Sequence, residues 1–94
     1  MAQLKTNLKG MTFVEKVILS RGCETVEEAF ATVSSELFRR YGGTARGEEK
    51  LKELGMETTS DIRRNVEIWF TMRHEFPDYK LTDRVQKIPE YIYA

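Results

Sequence analysis

The chain reads as all-α, a small bundle of four to five helices. Helix-period apolar patterning, paired capping signals and well-placed glycines predict this, and no segment alternates polar and apolar residues between hairpin turns as a strand would. At 94 residues the molecule is expected to form one domain, 1–94. A chain of this size buries somewhat over ~60% of its unfolded surface, so it can fold alone but has little area to spare.

The first helix is expected from Thr12, where Thr12-Phe-Val-Glu15 fits a capping box, to about Ser20, with Gly22 as its stop. Residues 1–11 would then be an extended or mobile tail. Thr25-Val-Glu-Glu28 is a second box. It opens a helix whose Val26, Ala29, Phe30, Val33, Leu37 and Tyr41 recur three and four apart and form one face, before Gly42 and Gly43 end it. "GGTARG" (42–47) reads as a loop. A short charged helix, Glu48–Leu54, follows with its acids at the positive end of the dipole, and Gly55 stops it.

Thr58, Thr59 or Ser60 can cap the next helix, Ser60–Phe76, which must end by Pro77 and is the expected centre of the bundle. In the tail, Leu81, Val85 and Ile88 allow a short helix that Pro89 breaks, leaving 89–94 extended or mobile.

The Ser60–Phe76 helix carries unusual apolar coverage. At about 100° per residue, its apolar side, which includes Ile62, Val66, Ile68, Trp69, Phe70, Met72 and Phe76, spans roughly 200°, about twice what one core-facing stripe needs. Asn65 and Arg73 fall inside that arc. Phe38 lies off the apolar face of its own helix, and Phe13, Val14, Val17, Ile18 and Leu19 wrap most of the way around theirs. Surplus apolar surface on three helices predicts assembly. Trp69, Phe70, Arg73, Phe38 and Met72 are the candidate protein-interface residues, because aromatics, Met and Arg are enriched at interface centres.

Composition excludes several alternatives. Fifteen Lys+Arg against fifteen Asp+Glu give zero net charge, which argues against coating nucleic acid by electrostatics alone. The lone Cys23 permits no intrachain disulfide, which favours a reducing compartment. Glu15 and Lys16 break the N-terminal apolar run that a signal peptide would need, and no segment reaches a transmembrane length. The expectation is therefore a cytoplasmic protein without membrane partners.

One histidine, His74, and one cysteine make neither a metal site nor a recognisable nucleophile–base pair. The loop 42–47 lacks the Gly-Lys-Ser/Thr ending of a P-loop. No metal, cofactor or catalytic residue is expected.

Residues 47–76 resemble a helix-turn-helix: a short helix, a Leu-Gly turn, a Thr/Ser cap and a helix opening with two arginines. That resemblance implies a nucleic-acid interface of Thr58, Thr59, Ser60, Arg63 and Arg64, assisted by Arg39, Arg40 and Arg46. The pattern departs from the motif at Leu51 and Lys52, where a small residue is usual. It departs again at Asp61, where an apolar one is usual and Ile62 comes one position late. The leading expectation is a non-catalytic helical interaction protein acting on a second copy or another protein, in the manner of small phage or bacterial regulators and inhibitors. A nucleic-acid-binding module is the alternative.

Overall fold

The computed structural model describes residues 8–79. Within them the chain forms four helical segments: α1 (Leu8–Arg21), α2 (Val26–Tyr41), α3 (Ala45–Leu54) and α4 (Thr59–Glu75). The small all-α bundle is as expected. Residues 1–7, the expected helix through Leu81 to Ile88 and the extended end at 89–94 lie outside the described residues. Among the described residues no helix is long and apolar enough to cross a membrane.

The caps show how local chemistry sets the boundaries. Thr25 accepts the N–H of Glu28 at 3.1 Å, while the Glu28 carboxylate takes the N–H of Glu24. At α4 the box is reciprocal: Thr58 Oγ1 accepts from the Asp61 N–H at 3.0 Å, and Asp61 Oδ2 accepts from the Thr58 N–H at 3.1 Å. Asp61, the misfit in the helix-turn-helix pattern, is thus a capping residue.

Two boundaries need correction. α1 starts at Leu8, so residues 8–11 of the expected tail are helical and Thr12 lies inside the helix; Glu15 turns into the core instead of capping. α3 starts at Ala45 because Thr44 accepts the Gly47 N–H at 2.9 Å, which converts half of the expected loop into a helical turn. Gly55 closes α3 in the left-handed conformation, φ 71°, that a side chain would resist.

The core runs through all four segments, with Phe13, Val14, Val17 and Ile18 of α1 meeting Ala29, Val33 and Leu37 of α2 and Ile62, Val66 and Trp69 of α4. Its centre is shared. α4 packs on α1 and α2, whereas α1 and α2 each touch all three other segments. This is why α1 is apolar nearly all round: most of that surplus is buried within the one chain. Two glycines permit close approach. A Cβ on Gly10 would lie 2.2 Å from the Leu54 carbonyl oxygen, and one on Gly47 2.0 Å from that of Tyr41.

Candidate functional site

Three features organise the polar and exposed chemistry of the bundle. The first is buried. Glu15 is fully enclosed, and its Oε2 accepts a hydrogen bond from Trp69 Nε1 at 2.6 Å. Tyr79 stands against the same indole at 6.4 Å. Burial, then the nearby Glu15 charge, raises its hydroxyl pKa. Trp69 therefore joins α1 to α4 through a ring and a polar tip. Asn65, also buried, donates to the Asp61 carbonyl of its own helix at 2.8 Å, which satisfies one polar group inside the apolar arc.

The second is a shallow groove of about 360 Å³ between the end of α1 and α4. Ile18, Leu19, Cys23, Trp69, Phe70 and Arg73 line it. Phe70 meets Trp69 edge to face at 5.3 Å. The Arg73 guanidinium lies 5.3 Å over the Trp69 ring and donates to the Tyr79 carbonyl at 3.3 Å. The arginine is held in place by a cation–π contact and a backbone acceptor, with its side chain half-buried. Leu19 is exposed at the lip, and Phe76, the cap residue of α4, is 58% exposed.

The third is a cleft of about 1030 Å³ between the end of α2 and α3. Arg39, Arg40, Arg46, Lys50 and Lys52 line it, against Glu49 and Glu53. Glu36, buried beside it, accepts from Arg21 at 2.9 Å, Arg39 at 2.6 Å and Arg40 at 2.8 Å. Burial alone would raise the Glu36 pKa. The Arg40 hydrogen bond and the charges of Arg39, Arg21 and Arg40 outweigh it and hold the carboxyl below its ordinary value.

The groove thus brings together three expected interface residues, Trp69, Phe70 and Arg73. Met72 is half-buried on α4 but does not line the groove, and Phe38, 76% exposed, stands apart on α2. Leu19 and Cys23 were missed as groove residues, because nothing in sequence places the end of α1 beside Trp69.

The expected nucleic-acid residues separate into two places. At the start of α4, Arg63 is paired with Glu27 and Glu67 and lies 5.3 Å over the Phe30 ring, while Arg64 pairs with Asp61. Thr59 and Ser60 are exposed there. α3 packs on α1 and α2 more than on α4, so the two segments are not the mutually packed pair of a helix-turn-helix. Arg39, Arg40 and Arg46 lie instead in the α2/α3 cleft, joined by Lys50 and Lys52, which sequence reasoning passed over. Cys23 lines the groove, and His74 is not among the residues that line it. Among the described residues no group of three His, Cys, Asp or Glu could hold a metal ion. Comparison of the chain with protein families, curated proteins and solved structures finds no match.

Proposed function

We propose that this is a non-catalytic helical interaction protein whose working surface is the α1/α4 groove, and that the groove's occupant is a second copy of the chain. The observation that carries this reading is one of self-complementarity. The same end of α4 that walls the groove also carries Phe76 at 58% exposure, a large apolar ring one turn beyond Arg73. In a two-fold pair the Phe76 of each protomer enters the other's groove, against Phe70 and Leu19, with Arg73 at the polar rim. Such an isologous contact uses one patch twice, and so turns a few exposed residues into an interface.

Light scattering after gel filtration, from low to high micromolar concentration, tests this. The expected mass rises toward twice the 11.0 kDa of the protomer. Phe70→Ser with Phe76→Ser, which leave Trp69 intact, return it to the protomer value. A protomer mass at every concentration overturns the reading.

A further inference from the structure

Elsewhere on the bundle surface, cations and acids that stand close together pair. Arg63 holds Glu27 and Glu67, Arg64 holds Asp61, and Glu53 is shared by Lys9 and Lys50. The α1/α4 groove departs from this pattern. Two charged residues line it, Arg73 from α4 and Glu24 from the turn between α1 and α2. Among the described residues neither forms an ion pair, with the other or with a third group.

Both are anchored without using their charge. Arg73 lies over the Trp69 ring and donates to the Tyr79 carbonyl, which leaves most of its forked N–H donors for a carboxylate. Glu24 is exposed, and its backbone N–H is tied to the Glu28 carboxylate. The dipole of α2 is already met by Glu27 and Glu28 in its first turn, whereas Glu24 lies outside the helix, before the Thr25 cap.

A two-fold axis sets residue i of one protomer against residue j of the other, and j against i. An apolar groove with one unpaired cation and one unpaired acid from different elements suits such an axis, because each charge can meet its opposite across the contact. A wholly apolar partner would instead desolvate both charges without compensation.

We propose that Arg73 of each protomer pairs with Glu24 of its partner, and that this doubled pair sets the register of the dimer; the inference rests on the reading of the groove as a self-association surface. The reciprocal charge reversals Glu24→Arg and Arg73→Glu test it by sedimentation equilibrium. Each variant alone opposes like charges twice per dimer, so its self-association weakens by at least about tenfold. An equimolar mixture of the two variants restores opposite charges at both contacts. Its heterodimer forms with an affinity within about threefold of the unmodified dimer's.

Arg73→Glu also removes the cation over Trp69, so Arg73→Gln supplies a second background if that variant folds poorly. There Glu24→Arg no longer faces a cation and weakens association by less than about twofold. A mixture no tighter than its components, or a Glu24→Arg chain that associates like the unmodified one, overturns the pairing while the groove dimer stands. An unmodified chain that stays at the protomer mass overturns the dimer and the pairing with it.

Discussion

Replacing Trp69 by Phe keeps an aromatic ring in the core and deletes the indole N–H that donates to Glu15 Oε2 at 2.6 Å. Two costs follow. Loss of the buried donor to an enclosed carboxyl oxygen is worth about 1–3 kcal/mol. The smaller ring in a site only 3% exposed adds about 1 kcal/mol of lost packing. The expected loss is therefore about 2–4 kcal/mol. For 94 residues the total stability is about 5–14 kcal/mol, so this is a large share.

Packing and pairing are separated by a double-mutant cycle with Glu15→Leu. That change alone strands the indole N–H, whereas in the Phe background both polar partners are gone. The double variant should accordingly be about 1–3 kcal/mol more stable than the sum of the single losses. Urea unfolding followed by far-UV circular dichroism measures all four corners, since the single tryptophan is itself removed in two of them. Additivity within about 0.5 kcal/mol would refute the claim that Glu15 and Trp69 stabilise the fold as a pair.

Gly10→Ala and Gly47→Ala should each destabilise by about 1–3 kcal/mol, although Ala is the better helix former, because the added Cβ meets a backbone oxygen of another segment. Thermal melts that rise instead would show that those approaches are loose. Glu36→Gln should cost about 1–2 kcal/mol at neutral pH. The Glu36 carboxyl is lowered on folding, so its contribution is present above the unfolded value near 4.5 and lost as pH falls through the folded value. The stability gap between wild type and Glu36→Gln must therefore close on acidification, and a gap that persists at low pH contradicts the three-arginine arrangement. Phe38→Ser should leave protomer stability within about 0.5 kcal/mol, since the ring is 76% exposed. A larger loss on chemical denaturation would mean that it packs in the fold.

Local chemistry made most of the fold legible. The α2 stripe is the buried face it promised, with Ala29, Val33, Leu37 and Tyr41 inside. Phe76 before Pro77 caps α4. Where the reading slipped, a residue had two plausible uses. Glu15 suited a capping box by spacing, yet it is the acceptor for an indole 54 positions away, and no local signal announces such a pair. Thr44 can cap a helix as well as sit in a glycine loop, and it does the former.

The wide apolar coverage of α1 was read as pointing to partners, when three neighbouring segments consume most of it. Arginines are the hardest case. Sequence spacing singled out Arg63 and Arg64, but only the packing of α2 beside α4 shows Arg63 tied to Glu27. The groove was half legible: Trp69, Phe70 and Arg73 share an arc on one helix, while Leu19 and Cys23 join them through tertiary packing alone.

The central claim, that a second copy seats Phe76 in the α1/α4 groove, is tested most directly by isotope-filtered nuclear Overhauser spectroscopy on a mixture of labelled and unlabelled chains. The account predicts intermolecular contacts from the Phe76 ring of one protomer to Leu19 and Phe70 of its partner. A spectrum with no intermolecular contacts at high concentration, or with contacts centred on another face of the bundle, would contradict it.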